Sequence, residues 1–241
     1  MKVMVIMVSR LLYLVIFLFK SYWRKTRFII QFAILALIMG FLLNLNYAPY
    51  TYDYVVLVKN AYFIVFGLIT SFHLSKLNYN REIYVLLNRV KRKWFYLSSI
   101  ITSLFIVSLL GGLLDIYILL FTGLSFFELF NMRFIVYSFI NLCLAIVITH
   151  LFSFYIVKAK YCILSFVLLG LGFIPNWYER LTFESVFNLL SYLVPPLGLN
   201  IIQQKAIDFS SSLLVYSSIY FLIIITIGII LIKKRSLITL K

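Results

Sequence analysis

Asn78-Tyr-Asn-Arg-Glu-Ile-Tyr-Val-Leu-Leu-Asn-Arg-Val-Lys-Arg-Lys-Trp94 is the one long polar, charged interval in an otherwise oily chain. Its apolar residues fall at Ile83, Leu86, Leu87, Val90 and Trp94, the spacing of a single helical face. Asn80 can cap the first turn, and Glu82 stands where the positive end of the helix dipole favours an anion. Arg89, Lys91, Arg92 and Lys93 crowd the last turns, where cations suit the negative end. A short basic amphipathic helix between two membrane spans belongs on the cytoplasmic side. Two readings fit it: a loop that sets topology and touches anionic lipid, or a helix that takes force from a soluble partner. On either one, the rest of the chain must be membrane spans and their connections.

Composition agrees. The chain has 241 residues, of which 64% are hydrophobic and 12% charged, against about 25% charged in a soluble domain. A mean hydropathy of +1.06, with apolar runs of about 20 residues, describes a multi-span membrane protein. The net charge of +15 comes from 22 Lys and Arg against 7 Asp and Glu. In a soluble protein that balance would suggest nucleic acid. Here the cations sit in short connections between spans, so the positive-inside rule accounts for them and no nucleic-acid partner is expected. Cys143 and Cys162 both lie in apolar segments and form no Cys-x-x-Cys pair, so they read as fillers and not as a disulfide framework.

Read in order, residues 1–27 open the chain. Val3–Phe19 is apolar except for Ser9 and Arg10, and no small-x-small cleavage site follows. The segment either spans, with Arg10 deep in the bilayer at about 2.5–3.5 kcal/mol on insertion scales, or lies on the inner leaflet with Lys2, Arg10 and Lys20 reaching headgroups. Lys20–Arg27 is a basic belt. Spans are expected at 28–45, 54–75, 95–121, 133–157, 161–175 and 213–232, with the amphipathic helix at 78–94. The fold class is therefore all-α polytopic. Tyr47, Tyr50, Tyr52 and Tyr54 make an aromatic girdle, and Lys59 is expected to snorkel outward. Gly111-Gly112 marks a bend or a close-packing point. The span at 133–157 is long enough to require tilt. The one at 161–175 reaches only about 22 Å and should stop short of the outer surface.

The stretch 176–210 is polar at both ends and holds Phe187–Ile202, broken at Pro195-Pro196 and Gly198. Two short helices around a Pro-Pro turn, dipping inward from outside, fit this pattern, as does a surface loop with one amphipathic helix. Ser210-Ser-Ser212 caps the final span. This map places 18 of the 22 cations inside and leaves only Lys59, Arg133, Arg180 and Lys205 outside. Both termini are then cytoplasmic.

No catalytic set is visible, so the chain does not read as an enzyme. His150 lies within a span, and Asn141 is nine residues away on the opposite helix face. A packed, hydrogen-bonded histidine fits better than a proton relay. Asp115 is the one acid inside a span, which by default raises a transport role. Its depth, roughly 31 Å above Trp94, suggests instead a contact at the outer interface or a cavity mouth. Pro195 and Pro196 join it as candidates for the outer gate. No metal site is expected. The Gly-x4-Gly-Lys-Ser/Thr phosphate loop occurs nowhere, so this chain binds no nucleotide cofactor through that motif.

Asn80-Arg-Glu-Ile-Tyr-Val-Leu-Leu, the basic turn after it and Trp94-Phe-Tyr-Leu resemble the coupling-loop region of ABC-2 type transporter permeases. That family pattern has Arg-Glu, a small residue, paired leucines, a Pro-containing basic turn, an aromatic and Gly-Lys. Here Arg89 stands near the usual proline and Ser98-Ser99 replace Gly-Lys. The resemblance implies six spans, an N-terminal interfacial elbow helix, and a re-entrant extracellular segment before the last span. It also implies a bacterial-type plasma membrane location, a second permease copy, and a separate ABC ATPase subunit that holds ATP and Mg. Asn80, Arg81, Glu82, Ile83, Leu86, Leu87, Arg89, Lys91 and Arg92 would meet that ATPase. The cargo would be an amphipathic or hydrophobic peptide, since the spans offer Phe and Tyr and few charges; glycan or lipid export, or an unrelated secondary transporter, are the alternatives.

Overall fold

A bilayer interior offers no water to an unpaired backbone amide, so a chain this apolar must close its hydrogen bonds within helices or a closed barrel. The computed structural model describes residues 2–24, 27–44, 52–77, 92–121, 126, 131–152, 162–173, 193–205 and 210–234, and among them the solution is helical. The helices are α1 (Lys2–Arg24), α2 (Arg27–Asn44), α3 (Tyr52–Leu77), α4 (Arg92–Phe121), α5 (Met132–Leu151), α6 (Cys162–Phe173), α7 (Leu197–Lys205) and α8 (Ser211–Lys234). Four of them contain stretches long and apolar enough to cross a membrane: Val55–Leu74, Lys93–Leu120, Met132–Leu151 and Ser211–Ile232. The described apolar stretches of α2 and α6, Phe28–Leu37 and Ile163–Phe173, are shorter. The chain is a helical membrane protein.

Helices α3, α4 and α5 make the core, and α5 is its hub, touching α3, α4, α6, α7 and α8. Side-chain pairs give the directions. Gly67 of α3 faces Ile146 of α5, and Asn60 of α3 bonds to Asn141 of α5, so these two helices run parallel. Lys59 meets Asp115, and the Tyr62 hydroxyl donates to the Val107 carbonyl, so α4 runs antiparallel to α3. Between them pack Tyr62, Phe66, Leu110, Leu114, Phe134, Leu142 and Ile146. At Gly111 a Cβ would come within 2.8 Å of Phe63, so this glycine is the close-packing point between α3 and α4. Gly112 has open space beside it, and α4 continues through both.

Helix α1 buries Leu14, Leu18 and Tyr22, an i, i+4, i+8 stripe, and turns Leu12, Tyr13 and Ile16 outward. Its Phe19 packs edge-on against Phe105 of α4, 13 residues past the start of that helix, or about 20 Å along it. Helix α1 therefore follows α4 upward and touches more than its foot.

Local chemistry sets the helix ends. Asn131 caps α5 by accepting from the Arg133 amide at 3.1 Å. The Ser210 side chain and carbonyl accept from the Leu213 and Leu214 amides at the start of α8, as the serine run predicts. Helix α5 stops at Leu151, where the Phe152 amide turns back to the Ile148 carbonyl at 3.2 Å. Its 20 residues rise about 30 Å, and residues 153–157 of the expected span lie outside the described residues. The described part of α6 has 12 residues, or about 18 Å. The described part of α4 begins at Arg92 and includes Arg92–Trp94, and residues 78–91 lie outside the described residues.

Candidate functional site

Among the described residues three polar clusters stand out, besides the buried Gln31–Thr70 pair that joins α2 to α3. The largest cluster lies where α3, α5, α7 and α8 meet. Asn141 Nδ2 donates to Asn60 Oδ1 at 2.8 Å and to the Leu197 carbonyl at 3.3 Å. Asn200 Nδ2 donates to Asn141 Oδ1 at 2.8 Å. Asn60 and Gln204 exchange two bonds, of 2.9 and 3.3 Å. Ser217 Oγ donates to Asn200 Oδ1 at 3.1 Å, and Asn60 Nδ2 also reaches the Val56 carbonyl at 2.7 Å. All five side chains are buried. Asn60 and Asn141 stand eight and nine residues past the starts of α3 and α5, so the cluster sits about 12–14 Å below those helix ends.

Helix α7 is in this position because of what precedes it. Pro195 and Pro196 cannot continue a helix from upstream but suit the first turn of a new one. The Leu197 and Asn200 amides bond back to the Pro195 and Pro196 carbonyls at 2.8 and 3.1 Å. Both prolines are buried, and a Cβ on Gly172 of α6 would lie 2.5 Å from the Pro195 carbonyl oxygen. That glycine is required for the approach. Asn200 and Gln204, four residues apart, then face the same neighbours. Five hydrogen bonds tie α7 to α3, α5 and α8. Interhelical bonds of this kind average about 0.6 kcal/mol in membrane proteins, so together they are worth a few kcal/mol.

The second cluster adjoins the first through α3. Lys59 Nζ lies 2.7 Å from Asp115 Oδ1 and 2.9 Å from Oδ2, with the Phe134 ring of α5 4.4 Å beneath the ammonium and Phe63 at 5.8 Å. Both charges are buried. The expectation that Lys59 snorkels outward is therefore corrected. A carboxylate within reach and an aromatic face below hold the ammonium better than a stretch to the headgroups would. Asp115 does lie near an end of α4, six residues from Phe121. Its partner there is Lys59, across the α3–α4 seam.

The third cluster lies toward the other end. Ser103 Oγ and His150 Nε2 are 3.0 Å apart, and the Tyr96 ring meets the imidazole edge-on at 6.3 Å. His150 is packed and hydrogen-bonded as expected, and it does not converge with Asn141. This pair joins α4 to α5. Among the described residues no three His, Cys, Asp or Glu side chains could share a metal ion.

Of the residues singled out from sequence, the structure joins Asp115 to Lys59 and places Pro195 and Pro196 at the head of α7. Arg92 begins α4. Asn80, Arg81, Glu82, Ile83, Leu86, Leu87, Arg89 and Lys91 lie outside the described residues. Sequence reasoning missed the amide cluster. A signal was available: carboxamides within apolar helices are costly unless they find one another, and Asn200 and Gln204 share one helical face. No family model, curated protein or solved structure matches the chain.

Proposed function

We propose that this chain is the permease subunit of an ATP-driven exporter, forming the path as a dimer and drawing on separate ATPase subunits for hydrolysis. One observation carries the reading most directly. A short helix, started by a proline pair and held by polar groups, is lodged among membrane-length helices. Interrupted backbone at such depth is tolerated only where protein shields it or a wet cavity lies beside it. We read this interruption as part of a transport path. The basic amphipathic stretch at 78–94, together with the absent phosphate loop, points to an outside source of force.

The mechanical route follows from connectivity. An ATPase that closes on ATP would press the 78–94 stretch and the basic belt before α2. Helix α4 is continuous from Arg92 to Phe121, so displacement at its foot reaches Asp115 as a rigid-body shift. Asp115 holds Lys59, the next residue on α3 is Asn60, and Asn60 holds Gln204 of α7. The cargo in this reading is an amphipathic or hydrophobic peptide, with a glycan or lipid as the alternative within the same class.

The test is copurification from native membranes. An ATPase should come with the wild-type chain and be lost with Glu82→Lys or Leu86→Asp. Peptide should stimulate hydrolysis by the complex; stimulation by a lipid-linked glycan instead would move the cargo assignment. The buried Lys59–Asp115 pair favours a second reading, an ion-coupled secondary transporter, because intramembrane charges commonly serve coupling ions. Uptake or efflux that survives ATP removal and collapses with the ion gradient would select it.

A further inference from the structure

We propose that α1 crosses the membrane beside α4 instead of lying on its inner surface, so that the Lys2 end emerges on the face opposite the α3–α4 connection. The proposal does not depend on whether ATP or an ion gradient drives the protein.

Two ring contacts fix the direction of α1. Helices α3 and α4 are antiparallel, with Lys59 against Asp115 and Phe63 against Gly111. Their common foot is where α3 ends at Leu77 and α4 begins at Arg92. Tyr22 of α1 lies beside His73, four residues from that end of α3, with ring centroids 6.3 Å apart. Phe19 lies beside Phe105, 13 residues up α4, with centroids 5.4 Å apart. Stepping back from Tyr22 to Phe19 therefore climbs away from the foot. Leu18 and Tyr22 share one buried core with Phe66, Leu110 and Leu114, and Leu14 is 1% exposed. From Leu14 to Tyr22 is about 12 Å of helix held against the bundle. A helix lying flat across the foot could make one of these contacts but not all of them.

Height and surface agree. Helix α1 is continuous from Lys2 to Arg24 and contains no Pro or Gly at which to bend. Phe19 to Lys2 is 17 residues, or about 26 Å, and Phe105 to Phe121 is 16 residues, or about 24 Å. The two helices thus end at the same height. All 23 residues of α1 rise about 34 Å, enough for a hydrocarbon core of about 30 Å. An interfacial helix turns a polar face to water. Here Leu12, Tyr13 and Ile16 face outward while Leu14, Leu18 and Tyr22 face the bundle, so the helix is apolar on both sides and suits lipid on one and protein on the other. Arg10 is the one charge between Lys2 and Lys20. Its main chain stands nine residues above Phe19, level with Leu114 of α4, the depth at which the bundle already shelters Lys59 and Asp115. The connections after α1 and after α3 then leave from one face, and both are basic, with Lys20, Arg24, Lys25 and Arg27 at the first and Arg89, Lys91, Arg92 and Lys93 at the second. A soluble partner on that face meets these two basic segments and no interfacial helix.

The experiment compares the two ends of the full-length chain, with Cys143→Ala and Cys162→Ser, in sealed right-side-out membrane vesicles. Helix α8 supplies the reference. Its Ser217 bonds to Asn200 in the amide cluster and its Gly228 meets Tyr96 near the foot of α4, so position 236 follows on the foot side. A membrane-impermeant maleimide is applied to Val3→Cys and separately to Ser236→Cys, changes that leave every Lys and Arg in place. Position 3 should react at least tenfold faster than position 236 in sealed vesicles, and position 236 should match it once detergent opens them. Reaction of both positions only after lysis overturns the proposal, because α1 then stays on the inner side. So does reaction at position 236 with none at position 3 in either state, because the Lys2 end then stays buried.

Discussion

Helices α5 and α8 are close in length, 20 and 24 residues, and both contain a stretch apolar enough to cross a membrane. Yet 72% of that stretch is buried in α5 and only 17% in α8. Hydropathy cannot separate them, because lipid tails are as apolar as a protein interior and no hydrophobic force drives one helix inward. What separates them is polar content. Helix α5 carries Asn141 and His150, each bonded to another helix. Helix α8 offers Ser217 to the cluster, Gly228 to Tyr96 and the Tyr220 hydroxyl to the Leu193 carbonyl, and turns Leu222, Ile223, Ile227 and Ile230 outward. In this bundle the helix that brings amides and an imidazole goes to the centre.

That comparison can be broken or sharpened by stability measurements in mixed micelles. The largest loss is expected at the charge that α5 underlies. Lys59→Met should cost about 3–5 kcal/mol by stranding Asp115 in the interior. Lys59→Met with Asp115→Leu should recover most of it, since an apolar replacement of a buried pair is often neutral. A single variant as stable as wild type would mean that water already reaches the pair.

Leu144→Ala, on the fully buried face of α5, should cost about 2–5 kcal/mol through lost contacts and the cavity left behind. Gly228→Ala tests a close approach of α8 to α4. The new methyl would meet the Tyr96 hydroxyl, and withdrawal of that side chain should cost about 1–3 kcal/mol. Leu222→Ala, on the exposed face of α8, should stay within about 0.5 kcal/mol of wild type. Equal losses at Leu144 and Leu222 would mean that α8 is covered by another chain in the membrane.

Several features were legible in the residues. The Asn131 and Ser210 caps lie where short polar side chains precede apolar runs, and cap chemistry is local. The proline pair marked the start of α7. Other features were not legible, because they depend on partners far away in sequence. Lys59 meets Asp115 across 56 positions and Asn60 meets Gln204 across 144. No periodicity within α3 reports which charge or carboxamide will arrive from another helix.

The sequence by itself determined that this chain lives in a membrane, that it does so as helices, and roughly where those helices begin. Each of these follows from the cost of exposing polar backbone to lipid, which any apolar run must meet locally. Only the tertiary structure decided which helices form the centre, that Lys59 turns inward, and that a nine-residue helix is pinned by Asn60, Asn141 and Ser217 from three other helices. The physical reason is that lipid does not sort apolar surfaces. The sorting is left to a few polar groups, and their energies depend on pairings that exist only once the helices have met.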